Sequence, residues 1–227
     1  MSFQDKDLKS RADSRNMSAT SLGIEERSMA IIESEIGNHN YDPLQWNVVR
    51  RVIHATADFD FAWENRVIFS PNAIKSAFEV FKRKGAVVVD VNMVLAGISK
   101  QSILKLGIKV ICNISNGNIK KLSKDNNFTI SALAMRFCKE EINQGIVAIG
   151  NAPTALVEVL RLIREDNVKP SLVIGVPVGF VAAAEVKDEL LKTKIEFTTN
   201  CGRKGGSPVA SSIINALMLL YKQKEIL

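Results

Sequence analysis

The fold is indicated most clearly by the stretch IVAIGNAPT at residues 146–154. Four apolar residues are followed directly by a glycine-containing turn, and Pro153 is a residue type that favours the first turn of a helix. A short strand that is apolar throughout, without alternation, is typical of a parallel sheet covered by helices on both faces. This stretch therefore predicts one strand–helix unit of an α/β fold.

Four further apolar runs share this pattern. The five runs together are Ala86–Val89, Lys109–Cys112, Ile146–Ile149, Ser171–Ile174 and Ile195–Thr198. The segments predicted as helices after or between them are Ile130–Ile142, Thr154–Arg164, Val181–Leu191 and Val209–Tyr221. The sequence thus predicts a three-layer α/β/α architecture around a doubly wound parallel sheet of about five strands.

The chain before the first run has a different pattern. Helical periodicity begins at Leu22 and stops at Gly37, and Pro43 opens a second helix. A short strand is predicted at residues 66–69, followed by a helix to Lys84 that Ser70-Pro71 caps. We expect residues 1–21 to form a flexible N-terminal arm and residues 22–227 to form a single domain.

Composition narrows the function classes. With 46% apolar and 24% charged residues in 227, the chain is typical of a soluble globular protein. The three cysteines form no CxxC pair and there are two histidines, which predicts reduced thiols and no metal site. A net charge of +6 suits an anionic partner, but the absence of a Lys/Arg block argues against nucleic acid. With neither a signal peptide nor a membrane-spanning run, we expect a cytoplasmic protein without membrane association.

The residues that follow the apolar runs are the candidates for ligand binding, because ligands of open parallel sheets lie beyond the carboxyl ends of the strands. Asp90 and Asn92 follow the first run, and Thr154 follows the third, although Asp90 could instead cap the next helix. The glycine-rich loop (Gly202–Ser207, GRKGGS) follows the fifth run, and two adjacent bases there have no evident structural purpose. Its order is not that of a phosphate-binding P-loop, and no GxGxxG fingerprint follows the first run, which disfavours a dinucleotide site.

His54 is the most informative single residue. The apolar residues Val48, Val49, Val52 and Ile53 form one stripe of the second predicted helix, and His54 lies nearly opposite the centre of that stripe. This position predicts an imidazole outside the core. Such a side chain is either a surface histidine at a helix end or a proton donor to an anionic ligand.

Six stretches in order resemble the precorrin-8X methylmutase family of cobalamin biosynthesis, between about Ile24 and Leu217. They are ERSMAII at 26–32, VIHATADF at 52–59, VDVNMV at 89–94, AIGNAPTAL at 148–156, GVPVGFV at 175–181 and GRKGGS at 202–207. Each stretch alone is a weak signal, whereas six in family order are specific.

The resemblance implies a flavodoxin-like fold, a homodimer with active sites near the subunit interface, and a tetrapyrrole (corrin precursor) substrate. The implied reaction is a 1,5-sigmatropic methyl shift that converts precorrin-8X to hydrogenobyrinate, or cobalt-precorrin-8 to cobyrinate, with His54 as general acid. No cofactor is implied, because any cobalt is carried by the substrate, and the sequence leaves open whether cobalt is present. The expected substrate-binding residues are Arg27, Ser28, Asp90, Asn92, Thr154, Gly202, Arg203, Lys204, Gly205 and Ser207.

The chain also departs from the family pattern. Ile130 stands where the family usually has an arginine, and Arg136, six positions further on, is expected to face another side of the helix. Val186 stands where a serine is common. The loss of a carboxylate anchor motivates an alternative function, a protein that binds and passes on a corrinoid without efficient turnover. A flavin- or nucleotide-binding protein unrelated to corrins is the third hypothesis.

Overall fold

The computed structural model describes residues 21–64, 66–126 and 128–226, and these fall into two units. The first unit, residues 1–37, contains helix α1 (Ser21–Ile36). The arm predicted at residues 1–21 lies outside the described residues except for Ser21, the first residue of α1. The second unit, residues 38–227, contains all the remaining described elements. The assignment of residues 22–227 to one domain stays a prediction.

The second unit alternates strands and helices along the chain. Its strands are β1 (Val67–Phe69), β2 (Ala86–Val89), β3 (Lys109–Ile111), β4 (Ile146–Ile149), β5 (Leu172–Gly175) and β6 (Phe197–Asn200). Its α-helices are α2 (Pro43–Thr56), α3 (Ala73–Lys82), α4 (Asn92–Gly97), α5 (Lys100–Leu106), α6 (Gly117–Asn126), α7 (Ile130–Arg136), α8 (Lys139–Ile142), α9 (Pro153–Glu165), α10 (Ala183–Leu191) and α11 (Ser207–Ile226). A 3-10 helix, Phe59–Phe61, follows α2.

The six strands found in the described residues form one sheet in the order β1-β6-β5-β4-β2-β3. All neighbours are parallel except β1, which pairs antiparallel with β6. The five parallel strands, taken in chain order, are arranged 2-1-3-4-5, which is the flavodoxin-like order. The predicted doubly wound sheet is therefore confirmed, and β1 adds a sixth strand at its edge.

Helices cover both faces of this sheet. The helices α2, α3, α4 and α5 pack with α11 on one face, and α6, α7, α8 and α10 join α9 on the other. On the α9 side, Val147 and Ile149 of β4 share a buried cluster with Leu156 and Val159. Because successive strand residues point to opposite faces, the other two residues of β4, Ile146 and Ala148, face the α11 side. Burial on both faces explains why β4 is apolar at every position.

The last strand begins two residues later than the sequence pattern indicates. Thr198, Thr199 and Asn200 are polar, but they are buried in β6. Their polar groups have partners there; for example, the Thr199 hydroxyl donates to the carbonyl of Gly175 on the neighbouring strand. Polar residues with internal partners are tolerated in a central strand, although in sequence they resemble the end of one.

The predicted cap at Ser70 is wrong, because α3 begins at Ala73. The Ser70 hydroxyl instead donates to the carboxylate of Glu196 and accepts from the Phe197 N–H at 2.8 Å. The Asn72 N–H also donates to Glu196, at 2.9 Å. Through these hydrogen bonds, Ser70 connects the end of β1 to the start of β6. Among the helices that the structure describes, none combines the length and hydropathy needed to cross a membrane.

Candidate active site

Four loops meet at the carboxyl edge of the sheet, because the parallel strands β2, β4, β5 and β6 lie side by side and end there. They are the segments 90–91, 150–152, 176–182 and 201–206. The structure therefore places most of the predicted binding residues along one edge: Asp90, Asn92, Thr154, Gly202, Arg203, Lys204, Gly205 and Ser207.

Asp90 joins two of these loops. Its side chain is completely buried, and its carboxylate accepts the backbone N–H groups of Gly150 at 3.1 Å, Asn151 at 2.8 Å and Ala152 at 2.9 Å. It does not cap the next helix, since α4 has no side-chain cap. Burial raises the pKa of Asp90, and the three N–H groups oppose that shift. A role in direct substrate contact stays a prediction, while the geometry gives Asp90 a role in fixing the loop after β4.

This bond pattern bears on the nucleotide hypothesis. In a flavodoxin-like sheet the ligand crevice opens at the point where the strand order reverses, here between β2 and β4. The three amides after β4 lie beside that crevice, and Asp90 accepts from all of them, so they are not available to the phosphate group of a nucleotide.

The glycine-rich loop packs tightly on the loop after β5. Gly205 has φ +151°, and a Cβ there would lie 2.3 Å from the carbonyl oxygen of Val176, so no side chain fits without moving the backbone. The Gly206 N–H donates to the same carbonyl at 2.9 Å, and the Gly179 N–H donates to the Arg203 carbonyl at 3.2 Å. The predicted binding loop is therefore a fixed part of the edge.

Lys204 connects the glycine-rich loop to the segment after α2. Its ammonium group lies 2.7 Å from a carboxylate oxygen of Asp58 and 2.6 Å from one of Asp60. Hydrogen bonds to Asp58 and then to Asp60 raise the pKa of Lys204, which keeps it cationic. Its charge is thus paired within the protein, and the bridge holds the glycine-rich loop against residues 58–60.

His54 lies in the last turn of α2, four residues before Asp58. The predicted stripe of this helix is buried and His54 is exposed, as expected from the sequence. The helix ends at Thr56, and the capping residue Ala57 adopts a left-handed conformation with φ +52°. The chain therefore turns directly from the imidazole to the carboxylates that hold Lys204, and His54 faces solvent beside the carboxyl edge.

Two other predicted residues are held by polar neighbours at this edge. The Asn92 amide donates to the Ser115 hydroxyl at 2.8 Å. The Thr154 hydroxyl lies 2.9 Å from the hydroxyls of Thr129 and Ser131. Both Asn92 and Thr154 remain exposed, so a ligand can reach them. Their assignment to substrate binding stays a prediction.

An exposed apolar patch beside the glycine-rich loop was missed in the sequence. Phe180 is 86% exposed and Val181 is 83% exposed, in the loop after β5. The guanidinium of Arg203 lies over the Phe180 ring, 5.8 Å from its centroid. In sequence, an apolar run that continues beyond a buried strand is more simply interpreted as core. Ser207, by contrast, is buried as the first residue of α11.

The remaining predicted residues, Arg27 and Ser28, lie on α1 in the first unit. Arg27 is exposed, and the Ser28 hydroxyl donates to the Ile24 carbonyl of its own helix at 2.8 Å. Their part in substrate binding stays a prediction.

Comparison with known proteins assigns the chain to a family. A model of the precorrin-8X methylmutase family matches residues 23–220. The chain belongs to this family. It is 41% identical over 215 residues to the cobalt-precorrin-8 methylmutase of Leptospira interrogans, which covers 90% of this chain and 97% of that protein. It is 44% identical over 197 residues to the cobalt-precorrin-8 methylmutase of Priestia megaterium, covering 87% of each.

The fold agrees with that membership. A solved precorrin-8X methylmutase from Thermus thermophilus superposes with a TM-score of 0.83 at 32% identity, covering 89% of this chain and 97% of that one. The resemblance seen in the six sequence stretches is confirmed. As a methylmutase, the chain is an isomerase.

The departure at Ile130 from the methylmutase pattern has a structural setting. Ile130 is half-buried at the start of α7 and packs against the buried cluster on the α9 side. Arg136 binds Glu158 at 2.9 Å and lies over the Phe128 ring, 4.4 Å from its centroid. Arg136 is thus committed elsewhere and does not replace the missing arginine, as the helical spacing predicts.

Within the described part of the chain, no group of three His, Cys, Asp or Glu side chains is placed to hold a metal ion. The carboxylates that the sequence reasoning missed, Asp58 and Asp60, are paired with Lys204 instead. Their spacing after His54 in the motif HATADFDF is visible in sequence, but the partner lies more than a hundred residues away. Only the fold brings the two together.

We expect Gly205→Ala to lower the free energy of unfolding by about 2 kcal/mol or more, since its Cβ would displace the Val176 backbone. Urea unfolding monitored by circular dichroism measures the change. Gly117→Ala is the matched control, because a Cβ there meets no atom within 4 Å and the change should cost nothing. Equal stabilities for the two variants would contradict the tight packing of the glycine-rich loop.

Proposed function

We propose that the chain converts cobalt-precorrin-8 to cobyrinate, the metal-free pair being precorrin-8X and hydrogenobyrinate, with His54 as general acid. The observation that carries this proposal is the bridge from Lys204 to Asp58 and Asp60. It fixes the glycine-rich loop beside the end of the helix that presents His54. One side chain able to donate a proton thus stands next to a surface suited to a large anionic ligand.

The chemistry requires little more than a proton and a fixed geometry. In the methyl shift, one carbon–carbon bond breaks and another forms within the same ring system, so no oxidant or second substrate is needed. Protonation of the conjugated macrocycle makes the carbon that receives the methyl group electron-poor. We assign that proton to His54, which lies in the last turn of α2 and is exposed to solvent. Cobalt belongs to the substrate in this scheme, and the protein needs no cofactor of its own.

The substrate's rim carboxylates call for several separate donors. The net charge of +6 favours an anionic ligand in general. At the carboxyl edge, Arg203 is exposed and Asn92 and Thr154 are accessible. Arg27 and Ser28 of α1 are proposed as further contacts on the evidence of the ERSMAII motif alone. Lys204 acts mainly by holding the glycine-rich loop, because its own charge is paired.

Phe180 and Val181 suit the flat, apolar face of the macrocycle. A ring that is 86% exposed gains little from the folded protein, whereas covering it with a planar ligand removes apolar surface from water. Arg203 over the same ring sets a cation at the border of that apolar surface. The pair offers both an apolar face and a carboxylate partner, which is the combination that a corrin rim requires.

We also propose that the protein is a homodimer, as the family resemblance implies, and that it acts in the cytoplasm. The relatives that are named cobalt-precorrin-8 methylmutases support the cobalt-containing substrate over the metal-free one. The alternative of a corrinoid carrier without turnover rested on Ile130. It is not favoured, because the relatives are named as enzymes over nearly the whole chain.

We expect His54→Ala to bind the corrinoid product but to slow the methyl shift by about 10²- to 10⁴-fold, the usual contribution of general acid catalysis. Single-turnover conversion of cobalt-precorrin-8, followed by its visible spectrum, measures the rate. Turnover at the normal rate would remove His54 from the mechanism. Wild-type protein that binds the substrate without converting it would instead support the carrier.

The control for this experiment is His39→Phe. His39 is the other histidine of the chain, and it stacks on Trp46 with ring centroids 4.0 Å apart. Phenylalanine retains a ring for this stack and removes the imidazole. We expect full activity from this variant, so that a loss confined to His54→Ala can be ascribed to the acid.

We expect Phe180→Ala to weaken corrinoid binding about tenfold and to leave the unfolding free energy within about 0.5 kcal/mol of wild type, because the ring is exposed in the free protein. Phe180→Leu keeps an apolar side chain and should lose less affinity. Spectral titration with cobyrinic acid gives the dissociation constants. Unchanged affinity in Phe180→Ala would show that the ring does not contact the macrocycle.

The dimer can be checked without substrate. Light scattering coupled to size-exclusion chromatography should give twice the 25.0 kDa of one chain. A mass of one chain at micromolar concentration would contradict the proposal.

A further inference from the structure

Lys187 is a buried charged residue that the reaction scheme does not use. It lies on α10, is 1% exposed and packs beside the end of β6. In the described residues, both polar contacts of its ammonium group are to neutral oxygen atoms: the Lys204 carbonyl at 2.7 Å and the Asn200 side-chain carbonyl at 3.3 Å. Burying an ammonium group among neutral acceptors costs free energy, and the hydrogen bonds that Lys187 donates offset part of this cost.

One of these hydrogen bonds is to the backbone of the glycine-rich loop, at the Lys204 carbonyl. The Asn200 amide nitrogen donates to the Cys201 carbonyl at 2.8 Å and to the Lys204 carbonyl at 2.9 Å. The Lys204 carbonyl therefore receives hydrogen bonds from both Lys187 and Asn200. A methionine at position 187 would occupy similar space, but it would leave the Lys204 carbonyl and the Asn200 oxygen without this donor.

We propose that Lys187 is a positioning residue, whose ammonium group holds the glycine-rich loop in the shape that binds the carboxylates of the substrate. This inference rests on the proposed function, because it takes the loop to be a substrate-binding element. The Lys204 carbonyl accepts a hydrogen bond from the buried Lys187, and the Lys204 ammonium group forms ion pairs with Asp58 and Asp60. Neither interaction reaches the substrate directly.

The proposal has a pH signature. Burial lowers the pKa of Lys187 to about 8, while the electrostatic influence of the neighbouring Cys201 and Asp188 opposes that shift. Lys204, the other charged group nearby, directs its ammonium group to Asp58 and Asp60. Above pH 8 the ammonium group becomes an amine, and its hydrogen bond to the Lys204 carbonyl weakens because a charged donor is the stronger one. We expect corrinoid affinity to fall as the pH rises through 8, while the carboxylates of the ligand stay ionised.

Protein stability should change in the opposite direction. The pKa of Lys187 is lower in the folded protein than the ordinary 10.5 of an unfolded chain. Between these values the unfolded state binds more protons, so this residue makes the unfolding free energy increase as the pH rises from 8 to 10.5. Affinity that falls while this contribution to stability rises is a combination that general denaturation cannot produce.

The test compares Lys187→Met, Lys187→Gln and the control Lys192→Met, an exposed lysine just after the same helix. Amide hydrogen exchange of residues 201–206 without ligand reports the shape of the loop, and titration with cobyrinic acid from pH 7 to 9.5 reports affinity. We expect Lys187→Met to speed exchange and to weaken binding about 10- to 100-fold at pH 7, with kcat changed much less than KM. Lys187→Gln keeps a donor, so it should recover part of the affinity and show no step near pH 8.

Three results would overturn the proposal. One is unchanged loop exchange in a folded Lys187→Met. Another is a pH step that persists in Lys187→Gln. The third is a step that disappears in Cys201→Ser, which would assign the titration to the thiol. Should wild type bind no corrinoid, the proposed function fails, while the exchange measurement still decides whether Lys187 orders the loop.

Discussion

The hydrogen bonds accepted by the Asp90 carboxylate are the interaction that fixes the carboxyl edge of the sheet. Three consecutive backbone N–H groups follow β4, and buried donors without acceptors are costly. Asp90, at the end of β2, satisfies all three across the point where the strand order reverses. The direction in which the chain enters α9, and with it the position of Thr154, is fixed by this one side chain.

A second constraint assembles the rest of the site around the glycine-rich loop. Gly205 lies so close to the Val176 carbonyl that the loop can pack there only without a side chain. Lys204 then reaches from the loop to Asp58 and Asp60, which follow His54 in the chain. The contact between Gly205 and the Val176 carbonyl fixes the loop against the segment after β5, and the ion pairs of Lys204 fix it against the segment after α2. Both act before any ligand binds, so the site is pre-organised.

Much of this could be predicted from sequence. The strands β2 and β4 have the predicted limits because their residues are apolar throughout, and His54 is exposed because the stripe beside it is core. The polar strand β6 was misplaced, because buried threonine and asparagine depend on partners that only the fold supplies. The Lys204 bridge and the Lys187 contacts were missed for the same reason. Each joins residues whose proximity no local pattern records.

The replacement of an arginine by Ile130 bears on the salt dependence of substrate binding. Its side chain packs into the core at a place where the methylmutase pattern usually has a guanidinium, and Arg136 is occupied by Glu158. Under the proposed function, the carboxylates of the substrate then have one fixed cation fewer to bind than in methylmutases that carry the arginine. Ion pairs at an exposed site are screened by dissolved salt. Relative to arginine-bearing methylmutases, this protein should hold its substrate with a smaller dependence on ionic strength.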